Sequence, residues 1–220
     1  MNRFLNDALE DAIIKNDLEK NSYYIFDKTI LLNELDLLKN ICSKNNILIS
    51  YSYKTNYVKP FIDALYNQNI MSEVVSPFEV DLTKEFKINP KHIIYNGPVK
   101  SYDSIFYILK NGGLVNAGSF DDLKIIVEIA KKLEIRSSIS IGIRISLSKQ
   151  NKESRFGIEY SRDNFLKVKS ILDKSGLKNI SCIHMHYPDR DILNFEKRIK
   201  EFFTICDEIK RKFGYKDFSI

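Results

Sequence analysis

The apolar positions of this chain change period repeatedly. Short apolar or alternating runs at Ile47–Tyr53, Met71–Val75, His92–Asn96, Leu114–Ala117, Ser138–Ile145, Ile180–His186 and Asp217–Ile220 predict strands. Between them apolar residues recur three and four apart, as in Phe61/Leu65, Ile105/Ile108 and Leu123/Ile126/Val127/Ala130, which predicts helices. Strand then helix, repeated, argues for parallel βαβ units. An earlier segment, residues 22–27, reads as an entry strand. Counting from residue 47 gives about seven units where a closed barrel has eight. The expectation is an α/β fold, a (β/α)8 barrel incomplete at its C-terminal end, with the last strand breaking off at Ile220. Periodicity alone leaves a doubly wound open sheet as the competing architecture.

Helix starts are marked by chemistry. Ser76-Pro77-Phe78-Glu79 offers a capping hydroxyl, a proline at the first helical position and a glutamate at the third, as in a capping box. Ser101, Ser119 and Ser161 also suit N-caps, and Asp103 and Asp122 fall in first turns, where the helix dipole favours them. Gly112-Gly113 and Gly176 suit helix C-termini.

Alternation within the strands sorts their faces. Ser50, Ser52 and Lys54 share one face against Ile49, Tyr51 and Tyr53. Ser140, Gly142 and Arg144 oppose Ile141, Ile143 and Ile145, and Cys182, His184 and His186 oppose Ile183 and Met185. Each small or polar face ends in a cationic or titratable group. If the sheet closes, that face lines the lumen, and Lys54, Arg144 and His186 stand at the C-terminal strand ends, where barrel sites are built. Glu73, near the end of its strand, joins them.

Composition narrows the picture. With 44% hydrophobic residues in 220, the chain can bury one sizeable core. The net charge of +5 comes from 34 basic and 29 acidic residues interspersed, which tolerates an anionic ligand without implying nucleic acid. The densest basic run, Lys197 to Lys212, carries Ile199, Phe202 and Ile209 at helical spacing and reads as a solvated helix face. Cys42, Cys182 and Cys206 are odd in number and far apart, which suits free thiols in a reducing, cytoplasmic setting. No apolar run approaches the length of a membrane span, and the acidic start is unlike a signal peptide.

A lysine, an imidazole and an acid–arginine pair fit one chemistry well. A buried lysine near other cations has a lowered pKa and can condense with an aldehyde, and pyridoxal 5′-phosphate (PLP) supplies both that aldehyde and an electron sink. His184-Met185-His186 also has the spacing of a metal pair. Only three histidines are present, however, and His92 begins a predicted strand at its opposite end, so a zinc-dependent hydrolase is the lesser reading.

Several motifs then occur in a telling order: Tyr24-Ile25-Phe26-Asp27, Tyr51-Ser52-Tyr53-Lys54-Thr55-Asn56, Glu73-Val74-Val75-Ser76, Ile94-Tyr95-Asn96-Gly97, Val115-Asn116-Ala117-Gly118-Ser119, Arg155-Phe156-Gly157 and His184-Met185-His186. Together they resemble the fold type III PLP-dependent decarboxylases, with diaminopimelate and ornithine decarboxylases as familiar members. The resemblance runs from about Tyr23 to Ile220. It implies an alanine-racemase-like barrel, PLP as cofactor, and an amino acid as substrate. It further implies Lys54 as the Schiff-base lysine, His186 stacked on the cofactor ring, Arg144 and Glu73 as an acid–arginine pair, and Asn56 and His184 as supports.

The chain also departs from that family. Tyr187-Pro188-Asp189 stands where a Gly-Ser commonly follows the His-x-His, and Glu73 replaces an aspartate. The glycine-rich phosphate loop, a later glutamate and the C-terminal β domain would all follow Ile220. The expectation for residues 1–220 is therefore a PLP-binding barrel domain with impaired turnover. A complementing C-terminal chain would supply the rest, and a homodimer is the other partner expected. A non-catalytic, partner-binding relative and an amino-acid racemase of the same fold stay open as alternatives.

Overall fold

The computed structural model describes Asp11, residues 26–134, 139–147, 156–177, 179–186, Asp191, residues 194–215 and Phe218. The chain divides into two units, Met1–Leu37 and Leu38–Ile220. In the first, Asp27 Oδ1 accepts the amides of Thr29 at 2.8 Å and Ile30 at 3.1 Å, which starts helix α1, Lys28–Ser43. The expected entry strand lies outside the described residues apart from Phe26 and Asp27.

The second unit alternates as the apolar pattern predicts. Strand β1 is Ser50–Ser52, α2 Lys59–Tyr66, β2 Met71–Val74, α3 Pro77–Glu85, β3 Ile93–Tyr95, α4 Tyr102–Lys110, β4 Leu114–Ala117 and α5 Phe120–Leu133. There follow β5 Ser140–Ser146, β6 Ile158–Glu159, α6 Arg162–Lys174, β7 Cys182–Met185 and α7 Phe195–Phe213. Every pairing is parallel, and the strands lie in chain order from β1 to β5, with β7 also on β5. A doubly wound sheet reverses its order at a switch point. Here the order never reverses, so the winding is that of a barrel.

Strand β6 lies outside the predicted set. It pairs Ile158 with Ile145, which also pairs with Met185 of β7, so β6 and β7 occupy opposite edges of β5. Because β4 uses the edge away from β7, β6 lies in line with β4 just beyond its end. Two residues carry no period that a sequence could show. The expected strand at 217–220 lies outside the described residues apart from Phe218, which is buried.

The face opposite the predicted polar one forms the packed layer beneath the helices. Val74, Ile93, Tyr95, Val115, Ile141, Ile143 and Ile145 are fully buried there, and burial of such a side chain contributes about 1.5–3 kcal/mol. Two tyrosines reach this layer with their hydroxyls partnered, Tyr53 on Ser72 and Tyr95 on Ser104, each at 3.2 Å. Burial pushes both phenols up to about 12.

The serine caps form as read: Ser101, Ser119 and Ser161 accept the amides of Ser104, Asp122 and Asn164. Ser76 accepts from Glu79, but the Glu79 carboxylate reaches past the cap to the Val75 amide at 2.7 Å. It thereby ties the end of β2 to the first turn of α3. Tyr160, just after β6, donates to Glu208 of α7 at 2.6 Å, and the Phe165 and Phe213 rings lie 5.3 Å apart. The last turns of α7 therefore sit beside the start of α6.

Candidate active site

Strand register assembles the site. Ser52 pairs with Glu73, Glu73 with Ile94, Ile94 with Leu114, Asn116 with Gly142, Gly142 with Cys182, and Arg144 with His184. Paired residues share a face, and so do residues two apart along a strand. Ser52, Glu73, Asn116, Arg144 and His184 therefore point to one side of the sheet. That side holds the polar set that alternation singles out. Lys54, two residues beyond Ser52, and His186, two beyond His184, are exposed just past the strand ends.

Across this face runs a chain of polar contacts. Asn96 Nδ2 donates to Glu73 Oε1 at 3.0 Å, and Asn116 Nδ2 donates to Asn96 Oδ1. Arg144 Nη1 donates to the Asn96 carbonyl at 3.1 Å. The expected acid–arginine pair is thus joined through Asn96 rather than by direct contact. Gly142 leaves the space this network needs: a Cβ there would lie 1.5 Å from Asn116 Oδ1. Gly157, at φ +118°, lets the chain enter β6 close to β5, where a Cβ would lie 2.8 Å from the Ile145 carbonyl carbon. Asn56 is exposed and accepts the Val58 amide at 2.9 Å, shaping the turn that follows Lys54.

Charge and burial set the protonation states. His184 is pushed down to about 4, first by burial and then by the Arg144 charge. His186 is lowered by burial and by the Lys54 and Arg144 charges. Both imidazoles are therefore held toward the neutral form. Glu79 is raised by burial and by the Glu73 charge, opposed by the Val75 amide and by Lys54. The Lys54 charge thus acts on an acid that the sequence pattern marks only as a helix cap.

Sequence reasoning also misses Lys100 and Asp122 as a pair. The Lys100 side chain is fully buried and meets Asp122 at 3.0 Å; it donates to the Gly97 carbonyl as well. Asp122 also accepts the Gly118 amide at 2.9 Å. Burial lowers the Lys100 ammonium, opposed by Asp122. The available signal is Asp122's place in a first turn, which names a dipole role and no partner. Beside these turns lies a cavity of about 400 Å³, lined by Pro98, Gly118, Ser119, Arg144, Phe156 and Glu159 among others.

Four buried polar atoms on the strand face lack a protein partner: Ser52 Oγ, Asn116 Oδ1, Arg144 Nε and His184 Nδ1. Each such atom costs about 1–3 kcal/mol unless something satisfies it. Their grouping on one face marks a place built for a polar ligand. Among the described residues no three of His, Cys, Asp and Glu gather as a metal site would require.

The family described as "Pyridoxal-dependent decarboxylase, pyridoxal binding domain" matches residues 33–218. The chain belongs to this decarboxylase family. It is 30% identical over 182 residues to diaminopimelate decarboxylase of Helicobacter pylori strain J99, covering 76% of this chain and 43% of that protein. Among solved structures, the arginine decarboxylase of Paramecium bursaria Chlorella virus matches with a TM-score of 0.74 at 15% identity, covering 96% of this chain and 56% of that one. A point mutant of Helicobacter pylori diaminopimelate decarboxylase, complexed with L-lysine, matches with a TM-score of 0.72 at 23% identity, covering 90% of this chain and 53% of that one. The chain spans less than half the length of the curated relatives it matches. The cofactor of this decarboxylase family is PLP, and the matched domain is the one that binds it. The residues present fit that group: unsatisfied buried donors and acceptors share one strand face with His184, and an exposed lysine and a second depressed imidazole follow at the strand ends.

Proposed function

We propose that this chain is the cofactor-binding domain of an amino-acid decarboxylase acting on a diaminopimelate- or ornithine-like substrate, with Lys54 as the lysine that bonds the cofactor. The observation that carries this reading is the single strand face shared by Glu73, Arg144 and His184, with its unpartnered buried atoms, and with Lys54 and His186 just past the ends of β1 and β7. When bound, PLP supplies an aldehyde and a conjugated ring that takes up the electron pair left as the carboxyl group departs.

The chain's own residues account for the rest of the reading. Lys54 presents an amine at the mouth, near the Glu79 carboxylate. Glu73, held by Asn96, offers a fixed negative charge toward Arg144 and His184. His186, kept toward neutral, is suited to lie flat against an aromatic ring without adding charge. Arg144 presents an unpaired Nε–H to an acceptor, and Asn56 shapes the turn after the lysine. Further substrate-binding contacts would come from a second domain carried by a complementing C-terminal segment, and a homodimer is the expected assembly.

The test is a visible absorbance titration with PLP beside a Lys54→Ala variant. The expected result is a band that grows with PLP and is absent from the variant. A folded chain that gives no band, or the same band without Lys54, would point to a partner-binding relative instead.

A further inference from the structure

Lys100 and Asp122 form a buried ion pair that also grips the backbone of the site's rim. Lys100 donates to the Gly97 carbonyl and lies over the Tyr95 ring at 5.4 Å. Asp122 accepts the Gly118 amide. Gly97 follows Asn96, whose carbonyl receives Arg144 Nη1 and whose side chain holds Glu73. Gly118 lines the cavity with Arg144, and a Cβ on it would lie 3.9 Å from the Arg144 Cδ. The pair thus ties the turn after β3 to the turn after β4, and Arg144 reaches between them.

Stability is a poor reason for such a pair. Burying two charges costs much of what their attraction returns, and apolar replacements of similar volume are often neutral or stabilising. The Lys100 side chain is fully buried and that of Asp122 is 9% exposed, so this cost applies. A pair kept at that cost, with further bonds to two rim turns, is suited to fixing geometry.

We propose that Lys100 and Asp122 are positioning residues, which hold the Asn96 carbonyl and the Gly118 turn so that Arg144 is seated across from Glu73. The proposal rests on the decarboxylase reading only for what Arg144 would serve; the seating itself is a property of this chain. Neither residue touches the reacting atoms. Their action passes through the two turns.

The experiment compares the parent chain with the double variant Lys100→Met/Asp122→Leu, with Lys100→Arg, and with Lys54→Ala. Three quantities are read: the melting temperature, the NMR resonance of the Arg144 Nε–H, and the PLP absorbance titration. The double variant is expected to keep its melting temperature, to shift the Arg144 signal, and to lose roughly tenfold in PLP affinity, as outer supports of a site do when removed. Lys100→Arg, which keeps charge and donors, is expected to restore both site readouts. A double variant that fails to fold assigns the pair to stability and overturns the proposal. A folded one whose Arg144 signal and PLP response match the parent overturns it equally. If the parent shows no Lys54-dependent band, the decarboxylase reading falls, and the Arg144 signal alone decides the role of the pair.

Discussion

At residue 184 an imidazole feels the Arg144 charge, opposed by Glu73, with one ring nitrogen buried and unpartnered. Its folded value of about 4 lies below the ordinary 6.5. Between those values the unfolded chain binds a proton that the folded chain refuses, so stability rises with pH across that window and is lost as pH falls through it. The loss is at most about 3 kcal/mol for a group shifted this far. A His184→Gln variant should therefore lose less stability than the parent when urea midpoints are compared at pH 7 and pH 5. Equal losses would mean that the folded imidazole titrates normally. The same position shows what alternation can and cannot reveal. His184 is legible as sharing a face with Arg144, because a period of two is a backbone property, whereas His186, expected on the same face, is exposed just past the strand end. That Asn96 stands between Glu73 and Arg144 is not legible, since it depends on separate strands meeting in register.

Elements are most legible where local chemistry decides them. The Ser119 hydroxyl accepts the Asp122 amide at 3.0 Å and starts α5 as its sequence suggests. Ser119→Ala should cost about 1 kcal/mol, the usual worth of such a cap, measured as a lower urea midpoint with an unchanged slope. A much larger loss would show that the cap also supports the Lys100–Asp122 pair through Asp122. The strands with an apolar face are found within a few residues of their ends, because their outward residues face the helices and must be apolar. The two-residue strand β6 escapes, although Arg155-Phe156-Gly157 marks its approach. Its placement depends on Gly157 passing against β5, a tertiary contact with no periodic trace. The Lys100–Asp122 pair escapes for a related reason: the residues lie 22 positions apart, and only the β3–β4 register brings them together.

For the whole molecule the unbroken strand order has a physical consequence. Among the described residues β1 pairs only with β2, and β7 only with β5, so each has one edge without a described strand partner. Open edges invite pairing with another chain. Beside the first of them Leu48 is 84% exposed and Ile47 54% exposed, just ahead of β1. Apolar side chains next to an open edge strengthen that tendency, because association then buries both backbone and hydrocarbon. The chain alone should therefore associate as its concentration rises through the micromolar range, with the mean mass in light scattering climbing accordingly. Leu48→Lys should reduce the association, because a charge beside an edge strand opposes the pairing of two copies. A monomer across that range would show that the edges are protected within the chain itself. Persistence of the association in the Leu48→Lys variant would move its cause away from the β1 edge.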